Sequence, residues 1–252
     1  MSTLAGKRIL VTGIATRESI AFATARAAQA AGASLILTAM RRDLDAAKDL
    51  AAELPEAPER VLELDATDPD DLRDLSVAVA DGCDGVVHAI AFAPKNALKS
   101  VVGVDAADVE LAFRTSVWTY TALADVLAKV APEQGASLVG LHFDSQAAWP
   151  VYSWMGVCKA ALVSANQYVA RELGPRRIRA NLVAAGPLAT RAATAIPEFG
   201  ALLDHWEQRS PLAWDADDAS VVADAICWLL SDGSRATTGS VVQVDGGCHA
   251  VK

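Results

Sequence analysis

Seven short apolar runs alternate with longer segments of helical periodicity along this 252-residue chain. The runs fall at about 8–12, 34–38, 60–64, 85–90, 137–143, 178–183 and 240–244. Several are almost continuously apolar rather than alternating, the pattern of strands buried on both faces. Helical periodicity occupies 19–31, 44–53, 70–80, 106–130, 152–173 and 219–230. Strict strand–helix alternation leaves few topologies, and a parallel sheet with helices on both faces is the natural one. The expectation is an α/β chain, one doubly wound domain over 1–252 with seven parallel strands. Ser19 and Asp68 stand where N-caps belong, and Gly32 where a helix stops.

One stretch departs from the alternation. Residues 190–216 are long, irregular and only part helical, and they follow a strand on the edge where such sheets bind ligands. Phe199, Leu202, Leu203 and Trp206 carry apolar surface at near-helical spacing. The segment is expected to cover a substrate, the alternative being a helix pair that merely caps the core.

Composition excludes several classes. A net charge of −9 disfavours non-specific nucleic-acid binding, which needs cationic surface. A mean hydropathy of +0.25 suits a large core, yet no apolar run approaches the ~20 residues that cross a bilayer. The N-terminal residues lead directly into a strand without a leader-like apolar stretch, which predicts a cytoplasmic protein. Four cysteines and four histidines are scattered without metal-ligand spacing, so neither disulfides nor a metal site is expected.

The first strand runs into Thr12-Gly13-Ile14, and the next helix opens at Ser19-Ile20. Glycine at such a turn lets the backbone approach a pyrophosphate, and the helix start offers free N–H groups. Only one glycine of the usual three is present, so a plain strand–turn–helix junction would look similar. Asp65, closing the third strand ahead of Ala66, can accept from an adenine amine or simply cap a helix. After the second strand come Met40, Arg41 and Arg42, with no acid for ribose hydroxyls. The arginines could take a 2′-phosphate, stack on adenine or face solvent, which leaves NADH and NADPH both open.

Tyr152 and Lys159 lie seven residues apart. Seven helical steps are two turns less roughly 20°, which puts both side chains on one face with Cα atoms about 10 Å apart. A phenol beside a cation can stabilise a developing oxyanion. A surface Tyr and a solvated Lys would have the same spacing. The pattern of carbonyl-reducing enzymes, with Lys four residues after Tyr, is absent: Tyr120 is followed there by Ala124 and Tyr168 by Glu172.

Taken together, these features resemble the bacterial enoyl-acyl-carrier-protein reductases of the short-chain dehydrogenase/reductase superfamily, which have a Rossmann sheet. The resemblance runs from Lys7 to His249. It is carried by the Thr12-Gly13 turn with Ser19 to Phe22, by Leu62 to Asp65, by Asp84 to Pro94, and by Phe143-Asp144 through Lys159. Asn181 to Pro187 with Thr190, and Ala236 to Gly247, complete it. It implies reduction of the trans-2 double bond of an enoyl thioester on acyl carrier protein, in fatty-acid elongation. Reduction of another conjugated carbonyl in secondary metabolism, or catalytically silent dinucleotide sensing, are the alternatives.

By the same resemblance Tyr152 would hydrogen-bond the thioester carbonyl, and Lys159 would hold the nicotinamide ribose. Phe143 would flank the hydride path. Gly13, Ile14, Ser19, Ile20, Met40, Arg41, Asp65, Ala66, Ile90, Ala91, Gly186, Leu188 and Thr190 would complete a cofactor site for NADH, with NADPH as the other candidate. Phe92, Met155 and Trp206 would join Phe143 and Tyr152 around the substrate. Cys158 is read as packing. The segment from Thr190 to Trp214 is shorter than the longest versions in the family, which argues against very long acyl substrates. The family also implies a homotetramer, with the helices at 106–130 and 152–173 as interface elements or as ordinary packed helices.

Overall fold

The computed structural model describes residues 4–194, 196 and 198–251. Seven strands, β1 (Arg8–Val11), β2 (Ser34–Ala39), β3 (Arg60–Glu63), β4 (Gly85–His88), β5 (Ala136–His142), β6 (Ile178–Ala185) and β7 (Val241–Val244), form one sheet. Their order is β3-β2-β1-β4-β5-β6-β7 and every pairing is parallel. The doubly wound architecture is therefore as expected, with each strand within two residues of its anticipated bounds.

Alternate residues of each strand feed different cores, which explains the unbroken apolar runs. Ile9, Val11, Leu35, Val87 and Val183 pack beneath α1 (Ile20–Ala30), α2 (Leu44–Ala51) and α10 (Ser220–Leu230). Leu10, Ile36, Val86, Leu138 and Leu182 point the other way, toward α3 (Pro69–Ala78), α6 (Thr119–Val130) and α7 (Ser153–Leu173). Ser19 caps α1 by accepting from the Phe22 N–H, and Asp68 caps α3 from the Asp70 N–H. Gly32 follows α1 at φ +94°, a conformation that favours glycine.

Three features differ from expectation. A short helix, α4 (Lys95–Lys99), follows β4 outside the helical segments anticipated. The helix expected at 106–130 is broken: α5 (Ala106–Phe113) passes through a π-helical turn at Arg114–Trp118 before α6. Single π-turns sit inside otherwise α-helical stretches, and this one falls within the segment read as one helix. Finally, α7 starts at Ser153, leaving Tyr152 as its N-cap rather than its first turn. The irregular segment after β6 contains α8 (Arg191–Thr194) and α9 (Phe199–Arg209).

Candidate active site

The strand order reverses between β1 and β4, and their C-terminal ends open the crevice where such sheets bind ligands. Thr12 clamps this point, its hydroxyl donating to the Val87 carbonyl (2.8 Å) and accepting from the Ala89 N–H (3.2 Å). Gly13 follows at φ +78°, and a Cβ there would sit 2.3 Å from the Ala89 carbonyl oxygen. The turn thus admits only glycine and delivers the chain to the start of α1. Ser19 and half-buried Ile20 lie at that helix start. Ile14 is fully buried and its N–H donates to Thr38 O (3.0 Å).

At the other end of the crevice Asp65 does not cap α3. One of its oxygens accepts from Thr67 N–H (2.9 Å) and the Thr67 hydroxyl (2.7 Å), while the second makes no hydrogen bond among the described residues. Ala66 is buried beside it. Met40 is 38% exposed and Arg41 is exposed, so both are free to meet an adenosine. An acid does stand close by. Asp43 takes Arg42 on one oxygen (3.4 Å) and Arg191 of α8 on the other (2.8 Å). Its carboxylate is already engaged, and Arg41 has no ion pair among the described residues.

Tyr152 is 8% exposed and lies between Val151 at φ +53° and Ser153 at φ +37°. Two left-handed residues, one of them β-branched, bend the chain sharply into α7. Burial, with a lesser contribution from Cys158, lifts the phenol above its ordinary range, so it stays protonated. Lys159 is 6% exposed and donates from Nζ to the Leu141 carbonyl (2.8 Å) at the end of β5. Burial lowers its pKa to about 8, and no carboxylate among the described residues lies within ion-pairing distance.

Two histidines neighbour this lysine, neither of them singled out as a site residue by spacing. His88 pairs in register with Gly140, two residues before His142 on β5, so both imidazoles rise from the same sheet face. Thr119 donates its single hydroxyl proton to Thr115 O (2.6 Å), so His88 Nε2, 2.8 Å from that oxygen, must be the donor. His88 Nδ1 and His142 Nδ1 are buried without a partner among the described residues. Burial first, and the Lys159 charge second, push both imidazoles down to about 3. They are neutral at any working pH.

The nicotinamide-side candidates Ile90, Ala91 and Phe92 run off the end of β4, half-buried to exposed. The π-turn fixes them: Ser116 accepts from Phe92 N–H (3.1 Å) and donates to Phe92 O (3.0 Å). Only an aligned set of relatives would have singled out Ser116, since a lone serine in a helical stripe is unremarkable.

Phe143 connects the helix to the segment after β6. Its ring is 5.0 Å from Tyr152, 5.7 Å from Trp149 and 5.4 Å from Trp206 of α9. Met155 is buried in the same apolar group as Tyr152. Trp206 is 1% exposed and donates to Asp245 O (3.1 Å), so it anchors α9 rather than lining an open surface. Gly186 accommodates it: a Cβ there would meet Trp206 and Trp214 at 2.8 and 2.7 Å. Trp214 in turn donates to Pro187 O (2.8 Å). Leu188 is buried, and Thr190 caps α8 by accepting from Ala193 N–H (3.2 Å). A 720 Å³ groove between α3 and α6, lined by Leu72, Val77, Trp118 and Val126, holds none of these residues.

A glycine cradle at the strand switch, a helix start behind it, and a buried Tyr–Lys pair beside it define a dinucleotide-binding oxidoreductase on a Rossmann sheet. Residues 13–249 match the family described as enoyl-(acyl carrier protein) reductase. The chain is 43% identical to the enoyl-[acyl-carrier-protein] reductase [NADH] of Mycolicibacterium smegmatis, covering 97% of this chain and 96% of that one. It is 40% identical to its counterpart from Mycobacterium avium over the same shares. A [NADPH] enzyme of that name from Staphylococcus aureus is 32% identical over the full length of both chains. The chain belongs to the enoyl-(acyl carrier protein) reductase family.

Proposed function

We propose that the chain reduces the trans-2 double bond of an enoyl thioester carried on acyl carrier protein, with NADH as its reductant. The observation that carries this reading is a buried, protonated Tyr152 at the start of α7 and, two turns along it, a buried Lys159 that has no ion pair among the described residues. The cradle at Gly13, which a Cβ would fill, and the free oxygen of Asp65 fit a dinucleotide. A reduced nicotinamide, when bound, supplies the hydride. Gly13, Ser19 and Ile20 would hold its pyrophosphate, Asp65 and Met40 its adenine, and Ile90, Ala91, Gly186, Leu188 and Thr190 its nicotinamide end.

The protein's own part is electrostatic. Conjugate addition at the β-carbon moves negative charge onto the thioester oxygen, and the Tyr152 hydroxyl donates to it there. The Lys159 ammonium has donors to spare beyond Leu141 O and, being buried, raises the local potential. Segment 190–216 acts as the cover, pinned by Trp206 and Trp214. Phe143, Met155 and Phe92 would meet the acyl chain. The cytoplasm is the proposed site of action; among the described residues no helix is long and apolar enough to cross a membrane. Exposed Leu111, Phe113, Trp118, Val157 and Tyr168 on α5 to α7 support a homotetramer, checked by light scattering.

Loss of reduced-nicotinamide absorbance with a trans-2-enoyl thioester tests the activity. Tyr152→Phe should cut kcat by about 10²–10³-fold while leaving cofactor affinity intact. A dinucleotide sensor would lose nothing, and a reductase of other conjugated carbonyls would turn over those and ignore the thioester.

A further inference from the structure

If Tyr152 holds the thioester carbonyl, as proposed above, the acyl tail must run among the side chains that surround its ring. On the Phe143 side that space is already filled. Trp149 lies 5.7 Å from Phe143, 4.8 Å from Trp206 and 5.1 Å from His205, edge-on to the first and last. Its indole N–H donates to Asp144 Oδ2 (3.1 Å), and Asp144 is itself buried, its other oxygen accepting from Gln146 N–H (3.3 Å). Trp206 is held in turn by Asp245 O. For either indole to swing aside it must give up its hydrogen bond, which is buried at Trp206 and half-buried at Trp149. Close-packed rings with fixed hydrogen bonds form a wall rather than a flexible lining.

We propose that Trp149 is the chain-length stop of this enzyme and that its substrates are short-chain enoyl thioesters. Each methylene that finds apolar contact improves kcat/KM by about fourfold. A tail that reaches Trp149 gains nothing further and must displace the wall. Specificity should rise over the first few methylenes and then fall.

The experiment is a series of kcat/KM values for crotonyl, octenoyl, dodecenoyl and hexadecenoyl thioesters, with wild type, Trp149→Leu and Trp149→Ala. Wild type should favour crotonyl or octenoyl over hexadecenoyl by at least tenfold. Trp149→Ala should raise the dodecenoyl-to-crotonyl ratio by at least tenfold, and Trp149→Leu by less. The wild-type profile needs no variant, so a Trp149→Ala protein that fails to fold leaves the test standing. Wild-type turnover of hexadecenoyl thioester as efficient as that of crotonyl would overturn the proposal. So would variants that change every chain length by the same factor. Absence of turnover at every length would instead sink the enoyl-reductase reading, and this inference with it.

Discussion

The two ends of the crevice are built from different materials. At the strand switch the shape comes from main chain: Gly13 against the Ala89 carbonyl, Thr12 clamped between Val87 and Ala89, Ile14 tied to Thr38. Around Tyr152 it comes from side chains: Phe143, Trp149 and Trp206 ring against ring, their indoles bonded to Asp144 and Asp245. Backbone geometry suits a ligand that never changes, because most substitutions leave it alone. Side-chain geometry can be retuned one residue at a time.

The largest expected effect lies at the side-chain end. Trp206→Ala should lower unfolding free energy by about 3–5 kcal/mol in a urea titration, as large aromatic truncations do. A loss under 1 kcal/mol would mean that α9 is loosely attached and the contrast is overdrawn. Lys159→Met comes next. The Lys159 pKa falls from 10.5 to about 8 on folding, so the unfolded chain binds the extra proton between those values. Wild-type stability should therefore rise as pH climbs through that window, having carried the full penalty below about pH 8. The rise is at most about 3 kcal/mol. Thermal melts of Lys159→Met should lack it; an identical slope would place the titrating group elsewhere.

At the backbone end, Gly13→Ala forces a left-handed alanine against Ala89, a strain of roughly 1–3 kcal/mol. Fluorescence titration should show NADH affinity down by at least tenfold, with Tyr152 chemistry otherwise intact at saturating cofactor. The smallest effect is at Arg41, an exposed guanidinium without an ion pair among the described residues. Arg41→Ala should weaken NADPH by about two- to fivefold in KM and leave NADH nearly unchanged, the scale of an exposed ion pair. Equal losses with both cofactors would show that Arg41 stacks on adenine instead.

Most of the sheet was legible because its signals are local. Apolar runs located each strand, and Ser19 and Asp68 marked helix starts through hydrogen bonds that span two or three residues. What escaped depends on partners distant in sequence. Trp149 takes its meaning from α9, some fifty residues on, and Asp43 from Arg191. His88 and His142 look ordinary until the β4–β5 register sets them on one face beside Lys159. The Tyr–Lys spacing was readable, but not the kinked start of α7 that carries it.

That kink has a practical corollary. Val151 and Ser153 are the residues a stability-minded redesign would change first, since glycine at either position would relax a left-handed backbone. The same change would free the hinge on both sides of Tyr152, so its hydroxyl would sample directions now closed to it. A gain read on a melting curve would then be a loss of aim, and screens that reward heat resistance alone would steadily blunt this protein.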